Sequence, residues 1–412
     1  MAATLDQFDA VVVGGGIAGS SVATVLARAG HSVCVLEPTT EYPDIVRGEW
    51  LSPWGVAHTR ATGLYDVLAA AGGHHVTSHF TFDERLPAEA AADPLPLGGM
   101  APDVPGPLTI RHPVACQALA DSAEGAGATV LRGVTDLELR SDRSVVGTLD
   151  GRPIEVAGRL VIGADGRASN VRKAIGVQLE RDETGHFLAG VLVDGLDFLG
   201  DDTVEYVATE GGLHSLCFPQ GGGRARLYLS YADDLKDRFT GGDRGAAYLD
   251  AFEMSCWPGS DGFRHATVAG PAKGYRSVDT WCERPFVDGV VLVGDAAGHN
   301  DPLIGQGLSI TSADVRSVTE ALLSTDDWSA PGLFDDYGRE RVERMRRLRN
   351  AARVYALAIA GHYWAREPAV RTALNEDAQV QMLMATMMVG PHVLPDDVYE
   401  PESIERLLAD PR

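Results

Sequence analysis

The chain has 412 residues, 45% of them hydrophobic, and a formal net charge of -23 at pH 7. This size and composition predict a compact globular protein of two closely joined domains. The excess of acidic residues would repel nucleic-acid phosphates and anionic lipid surfaces, so we expect neither as a partner.

The first predicted element is a strand that runs into a glycine-rich turn and a helix. Residues 10–13 form a short apolar run, which is typical of a buried parallel strand. Helical periodicity begins at Ile17, and Gly30 is suited to end that helix in a left-handed conformation. Residues 32–36 predict a second strand, with Glu37 at its end.

The turn in this unit has the spacing G-x-G-x-x-G. Gly14 permits a tight turn, Gly16 lets a pyrophosphate approach the backbone, and Gly19 lets the helix pack closely on the strand. The helix N-terminus then offers free N–H groups to the phosphates. Glu37 is placed to bind the adenosine ribose hydroxyls and would repel a 2′-phosphate, which disfavours NADP here. The unit predicts a dinucleotide site and leaves FAD and NAD both open.

Residues 159–176 predict a strand end, a turn and a short helix. Asp165 and Gly166 are a turn signal, and Ser169 is suited to cap the helix that follows. Taken alone, this pattern indicates an ordinary turn.

The middle of the chain, about 180–275, predicts an antiparallel sheet that carries the substrate site. The runs 203–209, 213–220 and 224–231 alternate in polarity and are separated by glycine turns. Candidate pocket residues in these runs are His214, Phe218, Tyr228 and Tyr231.

Residues 290–323 predict a second junction between a loop and a helix. A buried-strand run at 290–293 is broken by a loop, and helical periodicity resumes at Leu308. The loop contains Gly294, Asp295, Pro302, Gly305 and Gly307. Its helix N-terminus is a second position that favours anions. His299 and Asp301 are candidates for proton transfer, although capping of the loop is the preferred interpretation.

The tail beyond about residue 333 predicts helices. Charged and apolar residues alternate with helical periodicity over 339–360, and methionines are frequent over 378–390. A pliable methionine wall beside a substrate is one interpretation. Packing against the cofactor domain or a homodimer contact is preferred.

The termini and the cysteines bear on localisation. The first residues lack the features of a signal peptide, and the apolar tract around 354–364 is too short to span a membrane. The five cysteines are an odd number without C-x-x-C spacing, which argues against a disulfide framework or a metal site. We expect a soluble, cytoplasmic protein without a membrane span.

Together the three motifs resemble those of the FAD-dependent monooxygenases of the aromatic-hydroxylase type, the family of para-hydroxybenzoate hydroxylase. The resemblance covers about residues 8–325. It implies an α/β fold with a Rossmann-like FAD-binding domain, an inserted antiparallel-sheet substrate domain and a helical C-terminal tail. The implied boundaries are 1–75, 105–180 and 277–330 for the FAD-binding domain, 76–104 and 181–276 for the substrate domain, and 331–412 for the tail.

The resemblance also assigns roles to individual residues. The D-G motif, Asp165-Gly166 with Ser169 and Arg172, would lie near the pyrophosphate and is linked to NAD(P)H use. The G-D motif, Gly294-Asp295, would contact the ribityl chain. The implied FAD contacts are Gly14, Gly16, Ile17, Ala18, Gly19, Glu37, Pro38, Arg47, Gly48, Glu49, Arg111, Gln117, Val134, Asp165, Gly166, Gly294, Asp295, Pro302, Gly305, Gln306, Gly307 and Leu308. The implied substrate contacts are Trp50, His214, Phe218 and Tyr228.

The chemistry implied by the resemblance is oxygen transfer. NAD(P)H reduces FAD, O2 then forms a flavin C4a-hydroperoxide, and a small electron-rich, aromatic substrate is hydroxylated or epoxidised. The glycines at 221–223 are predicted in a hairpin, so no second dinucleotide unit is evident. Either NAD(P)H docks transiently, which the D-G motif favours, or a partner flavin reductase supplies the electrons.

Three alternatives remain open. The hydroxylases commonly have histidine where this chain has Gly298, and the Gly48-Glu49 pair is shared with flavin halogenases and geranylgeranyl-reductase-like proteins. A halogenase is the less favoured of these two because W-x-W is absent and no lysine precedes Lys173. A double-bond reductase is the stronger alternative. A non-catalytic flavin sensor is the third. The loop P-x-x-G-Q-G at 302–307, which the resemblance places against the isoalloxazine, is complete and argues against a sensor.

Overall fold

The computed structural model describes residues 3–4, 7–86, 93–200, 202–360, 374 and 376–409. The strands are β1 (Ala3–Thr4), β2 (Phe8–Val13), β3 (Val33–Glu37), β4 (Trp50–Leu51), β5 (His74–His75), β6 (Ser78–Asp83), β7 (Leu95–Pro96), β8 (Leu108–Thr109), β9 (Thr129–Arg132), β10 (Thr135–Leu139), β11 (Val145–Leu149), β12 (Arg152–Val156), β13 (Gly158–Gly163), β14 (Glu180–Asp194), β15 (Val204–Glu210), β16 (Leu213–Gly221), β17 (Arg224–Ala232), β18 (Thr267–Val268), β19 (Lys273–Trp281), β20 (Phe286–Val287) and β21 (Val290–Leu292). The helices are α1 (Ile17–Arg28), α2 (Pro53–Ala61), α3 (Tyr65–Ala70), α4 (His112–Gly125), α5 (Asn170–Ala174), α6 (Arg244–Asp250), α7 (Gly307–Leu323), α8 (Asp335–Ala358), α9 (Ala378–Val389) and α10 (Pro401–Leu408).

The cofactor half is built on a six-stranded sheet in the order β20-β21-β13-β2-β3-β9, parallel except for β20. Alternate residues of β2 serve opposite faces, as the two-residue period of a strand requires. Ala10 and Val12 pack in one core cluster with α1, α4 and α7, whereas Val11 and Val13 pack in another with the four-stranded sheet β1-β12-β11-β10. The near-continuous apolar run of β2 follows from burial on both faces.

The second half is an eight-stranded sheet in the order β18-β14-β17-β16-β15-β6-β7, with β19 also paired to β14. Its pairs are antiparallel except β15 with β6. One face packs on an apolar core that contains Phe80, Tyr206, Cys217 and Leu227. The opposite face is turned toward the cofactor half.

A small sheet and the C-terminal helices join the two halves. Strands β4, β8 and β5 form a three-stranded sheet, and α8 packs against α9 and α10. The predicted fold class is confirmed: an α/β cofactor domain, antiparallel sheets and a helical tail. The proposed domain boundaries stay a prediction, and part of the predicted tail, 361–373, lies outside the described residues. Within the described ranges, each helix is too short or too polar to cross a membrane.

Candidate cofactor and substrate cavity

A single cavity of about 1480 Å³ runs between the two halves of the molecule. It is larger than the roughly 300–1,000 Å³ that is typical of a small-molecule pocket. Its walls come from the six-stranded sheet, the cavity-side face of the eight-stranded sheet and the helices α8 and α9. The space is therefore sufficient for a dinucleotide together with a second organic molecule.

One end of the cavity lies at the N-terminus of α1. Gly14 has φ +101°, and a Cβ on it would lie 2.5 Å from the Ala164 carbonyl oxygen. A Cβ on Gly19 would lie 1.8 Å from the Gly14 oxygen, so the helix can approach the turn this closely only with glycine. At Gly16, by contrast, a Cβ would meet no atom within 4 Å. The backbone at Gly16 is thus open to the cavity, as a pyrophosphate requires.

Glu37 is fixed at the same end. Its Oε2 accepts a hydrogen bond from Gly15 N at 2.6 Å, and its Oε1 accepts one from Thr39 N at 2.7 Å. A carboxylate has about four lone-pair sites, so acceptor capacity remains on both oxygens. Glu37 lines the cavity and can still receive hydrogen bonds from ribose hydroxyls.

The D-G motif is tied to the G-D motif by one arginine. Asp165 lines the cavity, and its Oδ2 accepts from Asn170 N at 2.6 Å at the start of α5. Ser169 caps α5, as predicted, by accepting from Arg172 N at 2.9 Å. The Arg172 guanidinium donates to the Ala296 carbonyl at 2.9 Å and thereby joins the two loops.

The other glycine-rich loop leads into the N-terminus of α7. Gly305 has φ +66° and lies against Trp50, whose ring would be 3.3 Å from a Cβ at this position. The N-cap residue Gln306 makes no side-chain cap, so the first N–H groups of α7 are available to a ligand. Gln306 points away from the cavity instead: it accepts from Trp54 Nε1 at 2.8 Å.

A buried ion pair supports the G-D loop from behind. Arg341 on α8 is 1% exposed and lies 3.0 Å from Asp314 Oδ2 on α7. It also donates to the carbonyls of Gly294, Ala297 and Gly298. Asp314 in turn accepts from Gly294 N at 3.0 Å. Two helices therefore fix the loop at which a ribityl chain is expected.

The segment 47–50 forms the wall between the two halves. Glu49 is fully buried, and Arg226 donates to its two carboxylate oxygens at 2.9 and 3.1 Å. Arg47 lines the cavity, and we find no hydrogen bond or ion pair to its guanidinium from the described residues. Tyr228 donates to the Arg47 carbonyl oxygen. This segment thus presents a cation with spare donors to the cavity.

The end of the cavity at which a substrate is expected, called the substrate end below, has an aromatic wall and several polar side chains. Trp50 and Phe218 lie 6.0 Å apart between ring centroids, and Phe218 and Tyr228 lie 5.9 Å apart. Two other candidates lie elsewhere. His214 is fully buried between Thr209 and the hydroxyl of Tyr355, and Tyr231 stacks on Phe187 within the apolar core.

Most of the predicted site residues line this cavity. Those that do not are Gly19, Arg111, Gln117, Ser169, Arg172, His214, Tyr231, Gly294, Asp301 and Gln306. Arg111 donates to Asp44 Oδ2, and Gln117 is bonded to Asp121 and Arg132. Direct contact of Arg111 or Gln117 with FAD stays a prediction that the observed geometry does not favour.

His299 and Asp301 make the loop-capping contacts of the preferred interpretation. Asp301 Oδ1 accepts from Leu303 N at 3.0 Å, and its carboxylate lies 3.0 Å from His186 Nε2. His299 is hydrogen-bonded to Thr280 at 2.8 Å, and burial lowers its pKa to about 4. His299 also lines the cavity, and its role in proton transfer stays a prediction.

Several lining residues had not been predicted. His112 follows Arg111 directly and lines the cavity, and burial together with Arg47 lowers its pKa to about 4. Tyr275, Asn300 and Tyr355 also line it, and no sequence pattern singles them out. The methionines of α9 contribute both to core packing and to the cavity wall. Met384 and Met387 pack against a core cluster, and together with Met388 they line the cavity.

The cavity joins two helix N-termini to an aromatic chamber. On this fold, such a cavity is typical of the flavoprotein oxidoreductases. Comparison with known proteins places the chain in a family within that class. Residues 7–352 match the family described as FAD binding domain, so the chain belongs to this family. The family membership predicted from the motifs, and FAD as cofactor, are confirmed.

The relatives include both monooxygenases and reductases. Rifampicin monooxygenase of Streptomyces venezuelae is 28% identical over 358 residues, and the match covers 81% of this chain and 68% of that protein. Digeranylgeranylglycerophospholipid reductase 2 of Methanothermobacter thermautotrophicus is 31% identical over 332 residues, covering 74% of this chain and 75% of that protein. The structure of HpxO from Klebsiella pneumoniae complexed with FAD has a TM-score of 0.70 at 20% identity, covering 92% of this chain and 97% of that chain. This last likeness shows a shared fold.

Proposed function

We propose that this protein is an FAD-dependent monooxygenase that uses NAD(P)H and O2 to hydroxylate or epoxidise a small, electron-rich, aromatic substrate. The observation that carries the proposal is the single cavity, which connects two helix N-termini with an apolar, aromatic chamber. Its volume supports simultaneous binding of a dinucleotide and a substrate. Membership of the FAD binding domain family and the monooxygenase relatives support the same activity.

The lining residues fit FAD in one orientation. The ADP half would lie along the open backbone at Gly16, with Glu37 at the ribose. The ring would lie between the loop 302–307 and the segment 47–50. The uncapped N–H groups of α7 and the spare donors of Arg47 are then available to the ring.

Bound FAD supplies the redox chemistry and the activation of oxygen, and the chain supplies position and environment. The N-terminus of α7 stabilises negative charge on a reduced ring, since helix N-termini favour anions. The aromatic wall of Trp50, Phe218 and Tyr228 orients an aromatic substrate.

NAD(P)H is the proposed electron donor and would dock transiently. The glycines at 221–223 join β16 and β17 in a hairpin, so they do not form a second dinucleotide unit. The alternative is a partner flavin reductase. Mixing the purified yellow protein anaerobically with NADH or NADPH distinguishes the two electron donors. Bleaching of the flavin supports direct reduction by NAD(P)H. A flavin that stays yellow until a flavin reductase is added supports a partner reductase.

The activity is tested by isotope incorporation. The reconstituted protein is supplied with NAD(P)H, 18O2 and a library of aromatic compounds, and products are analysed by mass spectrometry. One 18O atom in the product supports the proposal. Substrate-dependent NAD(P)H oxidation that proceeds without O2 and adds two hydrogen atoms supports a double-bond reductase, the second candidate, which the 31% identical reductase favours. A flavin sensor would show no substrate-stimulated oxidation of NAD(P)H.

A further inference from the structure

A carboxylate and a histidine meet at the substrate end of the cavity. Glu205 on β15 and His79 on β6 are paired directly in the parallel ladder between these strands. His79 Nδ1 lies 2.8 Å from Glu205 Oε1, and His79 Nε2 lies 2.8 Å from Thr81 Oγ1. Trp50 Nε1 donates to Glu205 Oε2 at 2.7 Å. All four side chains line the cavity.

The hydrogen bonds assign the protons of this cluster. An ionised carboxylate only accepts, so His79 Nδ1 must carry the hydrogen that points to Glu205. In the neutral ring, Nε2 then holds a lone pair and accepts from the Thr81 hydroxyl. The basic nitrogen of His79 is therefore directed through Thr81 toward the cavity, and the carboxylate fixes the tautomer from behind.

The burial of Glu205 makes its hydrogen bonds specific. Glu205 is 4% exposed, and the described residues supply His79 and the Trp50 N–H as its partners, with no lysine or arginine within ion-pair distance. Buried polar groups need hydrogen-bond partners, so these two contacts hold the His79 ring in place.

The surrounding charges restrict what can bind here. The Asp83–Arg85 ion pair also lines this end of the cavity, and its two charges compensate each other. Tyr355 and Cys217 are titratable groups near Glu205, and burial raises the pKa of each side chain well above its usual value. A ligand carboxylate held next to Glu205 would be repelled, whereas the Arg47 cation in the segment 47–50 is available to the flavin ring.

We propose that His79, oriented by Glu205, is the catalytic proton acceptor for the hydroxyl group of an uncharged aromatic substrate. The proposal rests on the monooxygenase function given above. The substrate O–H bond breaks, its proton passes to the Thr81 hydroxyl as that group gives its own proton to Nε2, and the electron pair stays on the substrate oxygen. The step involves no gain or loss of electrons. It enriches the aromatic ring in electrons beside Trp50 and Phe218.

The test uses 4-nitrophenol, whose absorbance reports its own ionisation, and the oxidised FAD-loaded protein. Difference spectra are recorded over a pH series, with free 4-nitrophenol as reference. We expect the bound probe to ionise about one pH unit or more below the free probe, because the proton is held by the dyad. His79→Gln and Glu205→Gln should each abolish most of this shift. A wild-type protein without the shift, or a shift that both variants keep, overturns the proposal.

Two controls separate this step from other roles. 4-Nitroanisole has no hydroxyl proton, so His79→Gln should change the affinity of the protein for 4-nitroanisole by no more than about twofold. If His79→Gln weakens the binding of 4-nitroanisole and 4-nitrophenol equally, the histidine is purely structural and the proposal is overturned. 4-Hydroxybenzoate should bind at least about tenfold more weakly than 4-nitrophenol. If His79→Gln does not fold, Glu205→Gln carries the same test. The readout needs neither O2 nor NAD(P)H, so its failure is distinguishable from a failure of 18O incorporation.

Discussion

The cofactor end and the substrate end of the cavity are constructed differently. At the cofactor end, a few residues between Val13 and Ala18 present backbone groups to the cavity. At the substrate end, the wall includes one cross-strand row formed by Thr81, Val207, Leu216 and Tyr228. The glycine turn of the first end belongs to one short segment, whereas the cross-strand row of the second exists only when four strands pair in this register.

This difference predicts separable failures. Changes at the first end should remove FAD whatever the substrate, because backbone donors bind the phosphates. Changes at the second end should leave the protein yellow and alter the binding of aromatic ligands. Substitutions at each end, with matched controls, test that separation.

The largest effect is expected at the cofactor end from Arg341→Met. The change removes one of the two buried arginine partners of Asp314, leaving Arg344, and removes donors from the carbonyls of Gly294, Ala297 and Gly298. Because buried carbonyl groups lose their donor, we expect the free energy of unfolding to fall by about 3 kcal/mol, with loss of FAD. Chemical denaturation and the ratio of flavin to protein absorbance measure the two effects.

Arg339→Met is the matched control for this charge. Arg339 and Asp336 form an exposed pair on the same helix. An exposed pair contributes less than about 1 kcal/mol, so this variant should keep its stability and FAD. Equal losses in the two variants would contradict the role given to Arg341.

The next effect concerns the turn at the start of α1. In Gly19→Ala the new Cβ meets the Gly14 carbonyl oxygen at 1.8 Å, so the helix must move. We expect a loss of about 1–3 kcal/mol and no bound FAD. Gly16→Ala meets no atom within 4 Å, and it should keep the thermal stability of the apoprotein but bind FAD more weakly. A Gly16→Ala protein with wild-type FAD affinity would show that the phosphates do not approach there.

A pH effect is expected where the two ends meet. Asp279 on β19 accepts hydrogen bonds from Asn300 Nδ2 and from Asp301 N, both at 2.7 Å. Burial raises the pKa of Asp279 to about 7, and the nearby Asp301 carboxylate acts in the same direction. An unfolded aspartate loses its proton near pH 4. Between about pH 4 and 7 the folded protein therefore holds a proton that the unfolded chain lacks, and stability falls as pH rises, by up to about 1.4 kcal/mol per pH unit.

Asp279→Asn removes this titration. Relative to wild type, the variant should become more stable as pH rises through that window, as measured by denaturation at several pH values. The exposed Asp336→Asn is the control and should show a constant difference from wild type. A constant difference for Asp279→Asn as well would contradict the assigned pKa.

The smallest effect is expected at the substrate end. Phe218→Ala opens the aromatic wall, and we expect about tenfold weaker binding of 4-nitrophenol, equivalent to about 1.4 kcal/mol. FAD content should not change. Phe80→Leu lies on the opposite face of the same sheet and should leave the affinity for the probe unaltered. Loss of FAD from Phe218→Ala would break the proposed separation of the two ends.

The sequence was sufficient for the fold class and for most of the cofactor end. Gly19 is required by a contact within its own segment, with the Gly14 carbonyl oxygen, and Gly14 has a positive φ in the turn itself, so their spacing alone predicted the turn. The close approach of Gly14 to Ala164, which follows β13, became visible only in the structure. Gly305 and Gly307, in the loop before α7, were likewise predicted from their spacing within one segment. Arg111 and Gln117 show the limit: they lie in the expected segment, but their side chains pair with Asp44 and Asp121 and stay off the cavity wall.

The substrate end could not be predicted in the same way. Alternation in 203–231 indicated a sheet, but alternation does not say which face meets the cavity. His214 and Phe218 had equal standing as candidates, and the strand register buried the first against Tyr355 and turned the second toward Trp50. His79 and Glu205 are 126 positions apart, and no local pattern connects them.

The sequence by itself determined that this chain builds a dinucleotide turn, because steric contacts and backbone donors within about thirty residues require glycine and an acid at fixed spacing. The tertiary structure alone decided which side chains share the chamber, which charges are compensated, and that His79 meets Glu205. Those outcomes depend on pairing between distant strands, and a shift of one residue would turn each side chain to the other face of the sheet.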